Sequence, residues 1–123
     1  MLRVIEFAFT GYSITDVARS RDFYENALNL TPATILDRNG KGWIEYEIGP
    51  HVLAISNMNE EWKPSPNGGV VALEVEDFDA AIASLEEKGV RFYVEPYASP
   101  VCRLAIVADP DGNSICIHKR NAA

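Results

Sequence analysis

The chain has 123 residues, 47% of them hydrophobic, with 11 Lys and Arg against 18 Asp and Glu and a net charge of −7. That length and apolar content predict one folded domain, or two small modules sharing a core, and exclude a disordered chain. No cluster of Lys and Arg is present to hold a nucleic-acid backbone, and no apolar run approaches the roughly 20 residues that span a bilayer.

Met1-Leu2-Arg3-Val4-Ile5-Glu6 lacks the uninterrupted apolar run of a secretory signal. Cys102 and Cys116 make no disulfide framework, so the expected compartment is the reducing cytoplasm. Residues 7–14 read as a strand. Asp16 is placed to cap a helix in which Val17, Ser20, Phe23, Tyr24, Ala27 and Leu28 recur on one face, ending before Pro32. A short strand at 34–37 is followed by Asn39-Gly40, a strong two-residue turn signal. Strands at 43–48 and 51–56 flank Gly49-Pro50.

Residues 57–68 carry two prolines, several turn formers and no periodicity, and read as a linker in which Trp62 is either a staple or a ligand cover. Residues 69–75 are again a strand. Asp77 then precedes a helix with Phe78, Ala81, Ile82 and Leu85 on one face, and Gly89 is placed to end it. A short strand at 90–93 leads to Glu95-Pro96 and Ser99-Pro100. The chain closes on a hairpin turning at Asp109-Pro110-Asp111-Gly112-Asn113. Ile115 and Ile117 form its core face. Ser114, Cys116 and His118 form a chemically mixed face.

The halves repeat. Asp16 corresponds to Asp77, 61 residues on, and Gly49-Pro50 takes the place of Gly112-Asn113. Each half is a βαβββ unit that leaves one sheet face uncovered and needs a partner. The expected fold is α+β: one domain over 1–123, with a first module near 5–57, the linker at 57–68 and a second module near 69–120. Together the modules would form a cupped, mostly antiparallel eight-strand sheet. A cleft between them is the natural place for a small ligand.

The repeat, the stretch from Ile14 to Tyr24 and the 109–113 turn resemble the vicinal oxygen chelate superfamily of glyoxalases, bleomycin-resistance proteins and extradiol dioxygenases. The resemblance covers nearly the whole chain. It implies a homodimer with cupped sheets and, in many relatives, a divalent metal held by His, Gln or Glu. At the implied ligand positions this chain has Phe9, Leu53, Val70 and Cys116. Three of these side chains have no donor atom, so no metal cofactor is expected. A Cys116/His118/His51 site is a weak alternative, against readings of Cys116 as a buried small residue and the histidines as surface groups.

Alternation places Phe9, Gly11 and Ser13 on one strand face, and Val70, Ala72 and Glu74 on the equivalent face of the second module. Glu74 inside a cup either pairs with a cation, for which Arg103 is the candidate, or has a raised pKa. Glu74 at the rim and Arg103 on a surface loop are the competing placements. Trp43, Tyr93 and Tyr97 are candidates for the mouth, with core or interface packing the competing reading for Trp43. Candidate ligand-binding residues are thus Phe9, Ser13, Trp43, Leu53, Val70, Glu74, Arg103 and Cys116, and Glu74 is a weak catalytic candidate. The expected function is metal-free binding of a small, partly aromatic or apolar organic molecule, and the acidic chain suits a cationic one. The alternatives are a lyase, isomerase or dioxygenase using an unusual metal site or Glu74, and a dimeric domain with no ligand.

Overall fold

Both helices start where an aspartate caps them. In the computed structural model, which describes residues 1–121, the Asp16 carboxylate accepts the Arg19 N–H and the Asp77 carboxylate accepts the Ala80 N–H. The elements run β1 (Thr10–Ser13), α1 (Val17–Asp22), β2 (Pro32–Arg38), β3 (Lys41–Ile48), β4 (His51–Ser56), β5 (Val71–Glu74), α2 (Phe78–Glu87), β6 (Phe92–Ala98), β7 (Cys102–Ala108) and β8 (Ser114–Arg120). Helix α1 continues as a π-helical turn over Phe23–Ala27, in which the Leu28 N–H bonds to the Phe23 carbonyl five residues back.

The repeat is realised strand for strand. One four-stranded sheet has the order β1-β4-β3-β2 and the other β5-β8-β7-β6, each with one parallel pair (β1/β4 and β5/β8) and two antiparallel pairs. The expected eight strands are therefore divided between two separate hydrogen-bond ladders. Asn39 and Gly40 both take positive φ, 56° and 83°, as the tight turn between β2 and β3 requires.

Several elements differ in extent from the sequence reading; β2 runs over Pro32–Arg38, longer than the short strand expected at 34–37. β1 covers only Thr10–Ser13, while residues 1–9 lie in no strand and are exposed. β5 is likewise shorter, at Val71–Glu74. β6 is longer and runs through Glu95-Pro96, which an edge strand accommodates because an outward proline costs no ladder bond; its pairing with β7 is interrupted by register shifts.

Alternation sets the faces. Ile44, Tyr46, Leu53 and Ile55 from the first sheet, and Ala105, Val107, Ile115 and Ile117 from the second, join Val17, Tyr24, Phe78, Ile82 and Leu85 from the helical segments in one buried cluster. The opposite, open face of the first sheet carries Trp43, Glu45, Val52, Ala54 and Ser56. That of the second carries Ala72, Glu74, Leu104, Ile106, Cys116 and His118.

The 109–113 turn locks the modules together. The Asp109 carboxylate accepts the backbone N–H groups of Asp111 and Asn113 at 2.9 Å each, and the Tyr24 hydroxyl at 2.8 Å. The Asn113 amide donates to Asp109 and to the Ser13 carbonyl, both at 2.8 Å. Asp111 accepts the Thr15 N–H and the Arg19 guanidinium. Tyr24, fully buried, keeps its proton: burial and then the Asp109 charge push its pKa far up.

Candidate functional site

The free edges of β1 and β5 face one another, and Tyr12 spans the gap. Its hydroxyl donates to the Ser114 carbonyl at 2.7 Å and accepts the Val71 N–H at 2.8 Å. A cleft of about 220 Å³ lies at one end of this seam, lined by Gly11, Ser13, Trp62, Ser65, Val70 and Asn113 among others. A more apolar cleft of about 280 Å³ lies at the other end, lined by Phe7, Phe9, Ile48, Val52, Leu53 and Leu73 among others. The seam thus gathers four of the predicted residues: Phe9 and Leu53 at one end, Ser13 and Val70 at the other.

Aromatic side chains crowd the open face beside the seam. Phe9 meets Trp43 edge-on, with ring centroids 5.1 Å apart. A Cβ on Gly11 would stand 3.0 Å from Trp62 Cη2 and 3.3 Å from Phe9 Cε2, so the missing side chain is what lets both rings approach the strand. The Trp62 carbonyl accepts the Ser13 hydroxyl at 2.5 Å. Ser65 and Pro66 of the linker are tied to Asn113 and Ser114. Trp62 is therefore a staple, and the residue is still about one-third exposed. The Trp43 indole N–H donates to the Glu45 carboxylate at 2.8 Å, setting an acid beside the aromatic group.

Two expectations are corrected. Leu53 is 2% exposed and sits on the helix side, because its cross-strand partner is the core residue Tyr46; Val52 and Ala54 are the β4 residues on the open face. Arg103 does not pair with Glu74. It lies on the helix side of β7, donating to Asp79 at 2.5 Å with its guanidinium 4.5 Å over the Phe78 ring.

Glu74 instead bonds to His118 Nδ1 at 2.6 Å and accepts the Arg120 N–H at 2.7 Å. These bonds, the backbone N–H first, hold its carboxyl below the usual range, opposite to the raised pKa considered above. Cys116 is buried on the same face, and burial pushes its thiol pKa up. Tyr93 serves the turn, donating to the Gly112 carbonyl at 2.8 Å, whereas Tyr97 is exposed.

The donor chemistry does not fit a divalent metal at the implied positions. Phe9, Leu53 and Val70 have no ligating atom, and Cys116 alone cannot hold an ion. Cys116 and His118 share the β8 face, but His51 belongs to the other sheet, and no group of three or more His, Cys, Asp or Glu gathers among the described residues. The Glu74–His118 pair and the Gly11 seat were not anticipated. Alternation along β8 put His118 beside Cys116, but only the parallel β5/β8 register places it against Glu74.

The fold recurs in solved structures. TnmS3, an antibiotic-binding protein from Streptomyces sp. CB03234, superposes with a TM-score of 0.81 at 22% identity over 98% of this chain and 100% of that one. A glyoxalase/bleomycin resistance protein from the same organism gives 0.70 at 24% identity, over 89% and 98%. A lactoylglutathione lyase from Agrobacterium tumefaciens gives 0.75 at 15% identity, over 95% of each chain. No curated protein sequence matches this chain. No helix among the described residues is long and apolar enough to cross a membrane. The family model for the glyoxalase/bleomycin resistance protein/dioxygenase superfamily matches residues 7–117, nearly the full length, and the chain belongs to that superfamily.

Proposed function

We propose that the protein binds a small, partly aromatic organic molecule in the cleft between its modules, acts as a homodimer, and does so without the divalent metal many relatives use. The observation that carries this reading is the aromatic group of Phe9, Trp43 and Trp62 gathered around side-chain-free Gly11, beside the seam clefts. Flat aromatic ligands stack on such surfaces, and Glu45 beside Trp43 favours a cationic one. The antibiotic-binding neighbour of the same fold agrees with a sequestering role, which requires a pocket and no catalyst.

The test uses the two tryptophans as reporters. Titration with acridine orange, a planar aromatic cation, quenches their fluorescence saturably. Trp43→Ala weakens binding about tenfold or more, the loss expected for one aromatic stacking partner, while Arg103→Ala leaves it unchanged. Absence of saturable binding to this probe and to a broad small-molecule library would sink the reading. Near-stoichiometric metal in protein purified without chelator, lost in Cys116→Ala, would overturn its metal-free part and favour a lyase, isomerase or dioxygenase. Glu74 alone is a poor base for such an enzyme, since its bonds to Arg120 and His118 stabilise the carboxylate.

A further inference from the structure

The second sheet carries a side-chain pair that the ligand reading above does not use. On its open face, β5, β8, β7 and β6 present one cross-strand row: Glu74, His118, Leu104 and Tyr97. Beside it runs a second row containing Ala72, Cys116 and Ile106. Besides Glu74 and His118, the polar groups of this face are the Tyr97 hydroxyl, the buried Cys102 and Cys116 thiols, and, at the two ends of β8, the buried Ser114 hydroxyl and the exposed Arg120 guanidinium; Ala72, Leu104 and Ile106 lie between them.

The chemistry of the pair fixes a tautomer. A carboxylate offers only acceptor atoms, so the 2.6 Å bond to His118 Nδ1 places the imidazole proton on that nitrogen. The other Glu74 oxygen is held by the Arg120 N–H at 2.7 Å, so the carboxylate cannot turn away freely. Nε2 of the neutral ring is then a bare acceptor. The His118 side chain is 24% exposed, leaving it accessible. The titratable or charged groups around His118 are Glu74, the Arg120 guanidinium 3.8 Å from Glu74, Cys116 and Tyr97. Among them the Glu74 carboxylate is the group bonded to the ring.

We propose that His118, positioned by Glu74, is a proton-accepting site for the hydroxyl of a flat phenol or enol lying on the open face of the second sheet. The hydroxyl proton moves from ligand oxygen to His118 Nε2. The O–H bond breaks and an N–H bond forms, leaving a phenolate or enolate hydrogen-bonded to an imidazolium whose Nδ1–H remains on Glu74. No electron is transferred and no co-reactant is needed. Leu104 and Ile106 supply the apolar surface for the ring.

The probe is 4-nitrophenol, whose absorbance reports its protonation. At a pH below its own pKa, addition of the wild-type protein raises the phenolate band. His118→Gln abolishes that rise and weakens binding about tenfold or more, as losing a hydrogen bond to a charged group does. Glu74→Gln, which can still accept from Nδ1–H, keeps the tautomer but loses most of the phenolate signal. Arg103→Ala, on the helix side of the same sheet, retains the signal. Nitrogen-15 NMR of the neutral imidazoles reads the geometry directly, with His51, the only other histidine in the chain, as internal reference. His118 carries its proton on Nδ1 in wild type and reverts toward the free-imidazole mixture in Glu74→Ala. A wild-type His118 protonated on Nε2, no phenolate rise, or a rise that survives His118→Gln would each overturn the proposal.

Discussion

Tyr24 and Asp109 illustrate how much a single buried pair sustains. The Asp109 carboxylate takes four donors: the Tyr24 hydroxyl, the backbone N–H groups of Asp111 and Asn113, and the Asn113 side-chain amide. Asp109 is 4% exposed and Tyr24 fully buried, so water cannot replace a lost partner. Tyr24→Phe removes one donor and is expected to cost about 1–2 kcal/mol. Asp109→Ala strands several donors at once and is expected to cost about 3 kcal/mol or more. Urea denaturation midpoints at constant slope measure both; equal and negligible effects would show that the pair carries no stability. The turn itself was legible in the sequence, because Pro110 and Gly112 restrict the backbone to few shapes. Its reach to Tyr24, 85 residues earlier, was not, because nothing local in either segment encodes the other.

Among the elements, helices and turns were readable where one residue decides the geometry, as Asp16 and Asp77 do at the caps and Asn39-Gly40 at the β2–β3 turn. Strand faces were harder. The family resemblance implies a ligand position at Leu53, whereas its pairing with Tyr46 gives it to the core; a one-residue offset inverts a face. The same sensitivity appears at Gly42. A Cβ there would stand 2.8 Å from the Leu36 carbonyl oxygen on the adjacent strand and 3.2 Å from a Val17 methyl. The first contact is backbone, so the β2/β3 ladder itself must give way. Gly42→Ala is expected to cost about 1–3 kcal/mol, whereas Gly68→Ala, which meets nothing within 4 Å, should be near neutral. Thermal unfolding of the two variants side by side distinguishes this local clash from a general glycine effect.

At the scale of the molecule, the repeat carried most of the fold. Two βαβββ units each lacking cover on one side must pack together, and a single buried cluster with side chains from both is the result. The division into two ladders was not legible, since it depends on Tyr12 filling the β1–β5 seam by its side chain. What the shared core leaves outside is unusual. Leu2, Val4, Ile5 and Phe7 are each at least 79% exposed, and Phe7 also borders the apolar seam cleft. Contiguous exposed apolar groups of this kind mark association surfaces, and a closed dimer would bury them on both copies through one two-fold axis. The proposed homodimer therefore has a surface to use. Light scattering at micromolar concentration should give twice the 13.6 kDa chain mass. Ile5→Lys with Phe7→Lys should shift the protein toward monomer while leaving the circular dichroism unchanged, because neither residue belongs to the buried cluster. A wild-type monomer, or a dimer indifferent to both charges, would place the apolar segment outside any self-association and return the covering of the open faces to the ligand alone.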